Sequence, residues 1–226
     1  MEKLLDNSVR GNRAVFWMKV MLVMAVVLFG VLMAMGSVMG GLPKNLNEAT
    51  ASQASTVLYL LLGFFVACGL FLLSLAIQGC YWVAWMYRSV TNLRILGSTK
   101  ISPLLAVILS IIPYLGMIAH FFVFREMVTK MEAKLKELNV EHPQVSMSQL
   151  SAFCLLIIMS VVGPLVNDGQ ITMAISGVAG AVAMICYIIA LSVYVKQEKL
   201  LLTAGQEEIF RRKVDEEIKK REAGIS

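Results

Sequence analysis

Residues that could carry protons or bind cations are scarce in the apolar parts of this sequence. No Asp or Glu occurs between Glu48 and Glu126, and between Glu141 and Glu198 only Asp168 does. Because an ionised group inside a membrane is costly, the acids found there usually carry protons or bind ions. Their scarcity disfavours a proton-driven pump or motor that works through this chain alone.

His120 is the one histidine within an apolar stretch, and metal or haem binding would require a second ligand near it. The other histidine, His142, lies in a polar linker beside Pro143. The cysteines form no C-x-x-C pair and lie in apolar runs, at Cys68, Cys80, Cys154 and Cys186. We therefore expect no metal, no cofactor and no disulfide, and we interpret His120 as a hydrogen-bonded or interface-facing imidazole.

No catalytic motif is present. The sequence lacks G-x-S-x-G, H-E-x-x-H and a P-loop, so we predict that the protein is not an enzyme and has no catalytic residues. The methionines form no M-x-x-M or M-x-M series that lines one helix face together with Cys or His, which indicates packing rather than copper binding.

The most distinctive polar residues follow the second apolar stretch. Trp85, Arg88 and Asn92 are spaced i, i+3 and i+7, which places them on one face of a helix. We predict that Arg88 and Asn92 hydrogen-bond the carbonyls left unpaired before Pro113. The alternative for Arg88 is an interface anchor that contacts lipid phosphates, and Arg94 belongs to the same basic belt.

This region resembles the bacterial membrane-protein family catalogued as domain of unknown function 4328. The residues that carry the resemblance are W-x-Y-R at 85–88, Asn92, Leu-Gly at 96–97, Ser-Pro at 102–103 and Pro113. By motif it covers roughly residues 80–130, and by order of spans it covers the whole chain. The family's Asn, Trp and Pro after the central Pro are replaced here by Tyr114, Leu115 and Gly116. The resemblance implies a bacterial membrane fold and adds no activity.

Composition places the protein in a membrane. Of 226 residues, 58% are hydrophobic and 15% charged, and the mean hydropathy is +0.75, so the apolar surface exceeds what a soluble domain of this size can bury. The net charge of +5 comes from basic residues that flank apolar stretches. This pattern favours an anionic membrane surface over nucleic acid.

Four apolar stretches are predicted to cross the bilayer: 20–39, 57–85, 150–166 and 171–195. The first is long enough to be a retained signal anchor. The third is short and is interrupted by Gly163 and Pro164. A tight turn at 167–170 predicts that the last two spans form an antiparallel hairpin. The aromatic residues around Trp85 are expected in the interfacial belt.

The segment 103–124 is apolar but contains Pro113 and Gly116. Of the twenty Lys and Arg residues, at best thirteen are cytosolic if this segment crosses, and nineteen if it dips in and returns. The positive-inside rule therefore favours a re-entrant helical hairpin with both termini in the cytosol. The alternative is an ordinary proline-kinked helix that crosses.

Two further helices are predicted on the cytosolic side. Residues 125–138 are expected to form an amphipathic interfacial helix. In the tail at 196–226, acidic and basic residues alternate at i,i+4 spacing. The tail's narrow apolar stripe is Phe210, Val214 and Ile218. We interpret it either as a solvated helix or as a docking helix for a protein partner.

Small residues recur at four-residue spacing in two spans, as the pairs Gly36/Gly40 and Ser176/Gly180. Such pairs let helix backbones approach closely. We expect them to pack within the chain, and a homo-oligomer is the alternative.

The sequence as a whole predicts an all-α integral membrane protein of the bacterial inner membrane. Its membrane domain (1–195) would hold two antiparallel helical hairpins around the re-entrant one, followed by the cytosolic tail (196–226). We expect a non-enzymatic scaffold or accessory subunit of a membrane complex that contacts lipids and binds no nucleic acid. The alternatives are a small channel or carrier that uses the re-entrant hairpin, or a lipid-binding membrane protein.

Overall fold

The structure is a computed structural model that describes residues 3–41, 50–112, 115–166 and 169–222, and within these ranges it consists of six helices and no strand. The helices are α1 (Ser8–Gly40), α2 (Ala51–Ile95), α3 (Pro103–Ile111), α4 (Leu115–Glu137), α5 (Met147–Val166) and α6 (Gln170–Glu222). The predicted all-helical architecture is confirmed.

Four of these helices, α1, α2, α5 and α6, are long and apolar enough to cross a membrane. They contain the four apolar stretches that the sequence predicts as spans. A bilayer core takes about 20 helical residues, whereas α2 has 45 and α6 has 53. Both helices therefore extend well beyond the length needed to cross.

The helices pack in neighbouring pairs, α1 along α2 and α5 along α6, with α1 also against α6. The buried core is concentrated at one end of the bundle, around Trp85, Phe124, Leu135 and Tyr194. Away from this core, α1 and α2 expose large apolar side chains along most of their length. An apolar surface of this extent is typical of helices that lie in a membrane.

Helices α3 and α4 occupy the segment whose topology the sequence left open. The nine residues of α3 span about 13 Å, less than half the hydrocarbon thickness. It ends at Ile111 and α4 begins at Leu115, so Gly116 lies in the first turn of α4. Pro113 and Tyr114 lie outside the described residues.

Two predicted boundaries lie inside continuous helices. The residues predicted as a separate interfacial helix at 125–138 are the second part of α4, and Met131 and Leu135 on its apolar side are 1% and 0% exposed. They pack on protein instead of lying on lipid. At the other boundary, α6 continues past residue 195, and Gln197 and Leu201 are 0% and 2% exposed. Residues 196–205 pack on α4 and the N-terminal segment, and the tail is fully exposed only from residue 211 to residue 221.

The two small-residue pairs have different surroundings. In α6, Ser176 faces Gly163 of α5, and Gly180 faces Ser160 with an added Cβ at 3.4 Å from that serine. In α1, a Cβ added to Gly36 or Gly40 meets no described atom within 4 Å. The α6 pair therefore packs within the chain, as expected. The α1 pair does not pack against any described residue.

Candidate functional site

A carboxyl group is buried at the end of the bundle where the core lies. Glu198 of α6 is 7% exposed. Its Oε2 accepts a hydrogen bond from Trp85 Nε1 at 2.7 Å, and its Oε1 accepts one from Asn7 Nδ2 at 3.1 Å. None of the ion pairs formed by the described residues includes Glu198. The carboxyl is thus held by neutral donors.

Three elements meet around this carboxyl: the N-terminal segment, the end of α2 and the middle of α6. Asn7 Nδ2 also donates to the carbonyl of Trp85 at 3.0 Å, and Ser89 Oγ is 2.9 Å from the Tyr194 hydroxyl. Gly11 permits the close approach, because a Cβ there would lie 2.8 Å from a methyl of Val195. We call these residues the Glu198 cluster.

The environment changes the acidity of Glu198, which lies three residues beyond the charge-free stretch 171–195. Burial raises its pKa from 4.5 to about 7. Hydrogen bonds from Ser89, Trp85 and Asn7 oppose this rise, and the negative charge of Asp6 adds to it. A carboxyl with this pKa exchanges its proton near neutral pH, which the sequence alone did not indicate.

The polar residues predicted to bind the Pro113 region bind the N-terminal segment instead. Arg88 Nη1 donates to the Asp6 carbonyl at 3.1 Å. The Asn92 side chain makes two bonds with the backbone of Leu5, accepting from N at 3.1 Å and donating to O at 2.8 Å. The prediction is wrong because the end of α2 lies level with the chain's N terminus, while Pro113 follows a whole further helix.

Trp85 and Arg94 have different environments. Trp85 is 0% exposed and contacts the rings of Phe124 and Tyr194, so its predicted place in an interfacial belt is wrong. Arg94 is exposed and lines an open cavity of about 430 Å³ together with Ser102 and Pro103 at the start of α3. Arg94 is thus exposed, whereas Arg88 is half-buried and bound to the N-terminal segment.

A second polar group of residues lies deeper in the bundle, around His120. Its Nε2 is 2.7 Å from the Tyr187 hydroxyl and its Nδ1 is 3.3 Å from Ser110 Oγ. Trp82 Nε1 donates to the same Tyr187 hydroxyl at 3.2 Å. The interpretation of His120 as a hydrogen-bonded imidazole is confirmed, and both its nitrogens are occupied.

The donors in this network can be ordered. Ser110 donates its hydroxyl proton to the carbonyl of Ala106 at 2.8 Å, so its oxygen accepts from His120 Nδ1–H. His120 Nε2 is then the acceptor of the Tyr187 hydroxyl, which itself accepts from Trp82. In this ordering the imidazole is neutral and both its nitrogens are engaged in hydrogen bonds, so neither has a free lone pair to offer a metal.

A cavity of about 350 Å³ adjoins this network, and all six helices contribute to its walls. Its lining residues are Met18, Met21, Leu75, Gln78, Gly79, Trp82, Ser110, His120, Phe153, Ile157, Met184 and Tyr187. Gln78 is 5% exposed, and its Oε1 has no hydrogen-bond partner among the described residues. We call this space the Gln78 cavity.

Sequence reasoning missed both Glu198 and Gln78. Glu198 stands between Lys196 and Lys199 just past the last span, a position typical of a solvated charge. Gln78 is the one amide side chain within the apolar stretch 57–85. An isolated amide in a span is costly without a partner, and that was the signal available in the sequence.

A third polar contact ties α4 to α6 on the side of the core end. Lys134 is 4% exposed, and its Nζ lies 2.7 Å from Glu137 Oε1 and 3.0 Å from Glu208 Oε1. Gln197 Nε2 donates to Glu132 at 3.1 Å and to the carbonyl of Pro143 at 2.6 Å. These bonds hold the second part of α4 rigidly against α6.

No protein-family model matches the sequence, and no curated protein or solved structure is significantly similar to it. The resemblance to domain of unknown function 4328 therefore stays a prediction.

Proposed function

We propose that this protein is a non-enzymatic scaffold of the bacterial inner membrane, and that its cytosolic C-terminal helix joins copies of the chain. The observation that carries the proposal is the end of α6. All residues from 211 to 221 are exposed, although the helix is continuous from the bundle. A helix that leaves the packed core without a partner in its own chain is available to another.

The proposed topology has four spans, a re-entrant α3–α4 hairpin and both termini in the cytosol. The short α3 supports the hairpin, because about 13 Å cannot cross the bilayer. Two contacts at opposite ends of the pair, Ser110 with His120 at 3.3 Å and Thr99 with Glu126 at 3.2 Å, agree with antiparallel helices. The count of nineteen cytosolic basic residues out of twenty supports the orientation.

The exposed tail has an apolar stripe whose side chains are solvent-accessible. Phe210, Val214 and Ile218 are 69%, 40% and 48% exposed and recur every four residues. On the rest of the helix, short acidic and basic blocks alternate. The acidic blocks are 207–208 and 215–217, and the basic blocks are 211–213 and 219–221.

This pattern favours a second copy of the chain as the partner. Since α6 leaves the membrane in the same direction in every copy, two tails meet in parallel. The stripe then lies in the seam of the pair, and each tail presents both acidic and basic blocks to the other. A partner of one charge sign would meet repulsion from half of the blocks.

The unoccupied face of α1 agrees with assembly. Gly36 and Gly40 meet no described atom within 4 Å, so a second membrane helix can approach them closely.

Cross-linking tests the proposed pairing. In a variant without native cysteines, we expect Val214→Cys to form a disulfide-linked dimer in membrane vesicles treated with a mild oxidant. The control is Glu216→Cys, exposed on the opposite side of the same helix turn. Equal cross-linking at both positions, or none at Val214→Cys, would refute pairing of copies through the stripe.

Topology is tested separately with Glu141→Cys, which lies in an exposed linker after α4. Glu141 is preferable to Asn139 in the same linker, because the φ of Asn139 is 55°, in the left-handed region where cysteine is strained. In intact cells an impermeant thiol reagent should leave Glu141→Cys unlabelled, and cell lysis should expose it. Labelling in intact cells would mean that the segment 103–124 crosses.

The lipid-binding alternative is favoured by a specific observation, the Gln78 cavity. Lipid binding is compatible with a scaffold function, since a bound lipid adds to the packing of the six helices that line the cavity.

A further inference from the structure

We propose that the Gln78 cavity binds a neutral lipid whose polar group is a hydroxyl, with the hydroxyl on Gln78 and the apolar chain between α1 and α6. The cavity volume of about 350 Å³ falls in the range of small-molecule sites. Its walls are mostly apolar, with three methionines and two aromatic residues besides Tyr187.

Gln78 is the residue in the cavity wall that has an unused polar atom. The other polar groups, Ser110, His120 and Tyr187, are occupied by one another and by Trp82. The Gln78 Oε1 atom is buried without a hydrogen-bond partner among the described residues, which costs free energy in the empty protein. A ligand that donates one hydrogen bond there removes that cost.

The unused atom selects the chemistry of the ligand. A carbonyl oxygen accepts hydrogen bonds, so the ligand must present a donor such as a hydroxyl, and a ketone or quinone does not satisfy this need. No Asp, Glu, Lys or Arg is among the described residues that line the cavity. A charged headgroup would therefore lose its hydration without gaining a counter-charge.

An adjoining cavity provides room for the chain. It has a volume of about 430 Å³, and the two cavities share the wall residues Met21, Ile157 and Met184. Its walls are apolar apart from Ser176, with Phe29 and Phe71 along one side. A linear chain anchored at Gln78 can continue past the shared residues into this space.

The exposed part of the cavity wall favours entry of the ligand from the apolar surface of α2. Leu75, in the wall of the Gln78 cavity, is 44% exposed on the apolar surface of α2. A ligand that enters beside Leu75 comes from the region that lipid covers.

Glycines on α2 provide a matched pair of variants. Gly79 lines the cavity, and a Cβ added there meets no described atom within 4 Å, so Gly79→Leu fills the cavity without an initial clash. Gly69 lies on the same helix and is equally open, but does not line the cavity. The control is therefore Gly69→Leu.

The probe is octadecan-1-ol brominated at carbons 3 and 4, close to the hydroxyl, because bromine quenches tryptophan fluorescence at short range and Trp82 lines the cavity beside Gln78. The matched probe without a hydroxyl is 3,4-dibromooctadecane. We expect saturable quenching of the detergent-solubilised protein, with about tenfold higher apparent affinity for the alcohol, as one buried hydrogen bond provides.

The variants distinguish the possible outcomes. Gln78→Leu should lose the preference for the alcohol while still binding the hydrocarbon, Gly79→Leu should lose both, and Gly69→Leu should keep both. Equal affinities of the native protein for the two probes would overturn the role of the hydroxyl. Unchanged quenching in Gly79→Leu would overturn the site. Melting temperatures measured without probe show whether each variant is folded. If Gly79→Leu does not fold, the loss of alcohol preference in Gln78→Leu still tests the site.

Discussion

Replacing Glu198 with Gln removes the one titrating group of the Glu198 cluster while keeping its shape. Because glutamine does not titrate, the stability of Glu198→Gln should not change with pH through this position, although its Nε2 cannot accept a hydrogen bond as the carboxyl oxygens do. The variant thus separates the titration of this residue from its packing.

The size of the effect follows from the pKa. Burial raises the pKa of Glu198 from 4.5 to about 7, so the folded protein holds this proton more tightly than the unfolded chain. Stability is therefore greatest in acid, falls as pH rises through the window between these two values, and is level above it. At about 1.4 kcal/mol per pH unit, the total loss is about 3 kcal/mol.

The assay is thermal unfolding of the detergent-solubilised protein between pH 4 and pH 8, a range that includes the whole window. For a chain of this size, a loss of about 3 kcal/mol corresponds to a fall in Tm of about 6–12 °C. We expect the native protein to show this fall and Glu198→Gln to lack it.

The control is Glu207→Gln, which changes an exposed carboxyl on the same helix. It should follow the native profile. If Glu198→Gln and the native protein gave parallel profiles, burial of an ionisable Glu198 would be refuted. The other charged group that faces the cluster, Asp6, is present in all three proteins and cancels in the comparison.

Two further predictions concern the packing of the N-terminal segment. Asn92→Ala removes two hydrogen bonds to the backbone of that segment and should lower stability by about 1–3 kcal/mol. Arg94→Ala, at an exposed position, should change stability by less than about 0.5 kcal/mol. Equal losses of the two variants in thermal unfolding would contradict this prediction. Gly11→Ala brings a Cβ to 2.8 Å from Val195 and should cost about 1–3 kcal/mol, and Gly36→Ala, with nothing within 4 Å, should not destabilise. Similar melting temperatures for the two alanine variants would count against the close approach at Gly11.

Local sequence properties predicted the long helices well. The stretch 171–195 is continuous, apolar and uncharged, so its helix depends on few distant contacts. The same holds for the end of α3 at Ile111, because the sequence that follows contains a proline, which lacks the amide hydrogen that a helix needs.

Partners across long sequence distances were not predictable in this way. Arg88 and Asn92 were correctly expected to make hydrogen bonds, but their partners lie 82 and 87 residues earlier in the chain. The amphipathic pattern of 125–138 identified a buried face, and the pattern does not distinguish a lipid surface from a protein core. Both errors concern which surface a side chain meets, which periodicity alone does not specify.

The bond between Asn7 and Glu198 joins residues 191 positions apart, and this affects biosynthesis. At a translation rate of about 5–20 residues per second, the N-terminal segment waits roughly 10–40 s for its partner to be made. During that time the N-terminal segment and Trp85 lack the contacts that α6 provides. A chain truncated before α6 therefore presents an incomplete polar core, and α6 is the helix that completes the bundle.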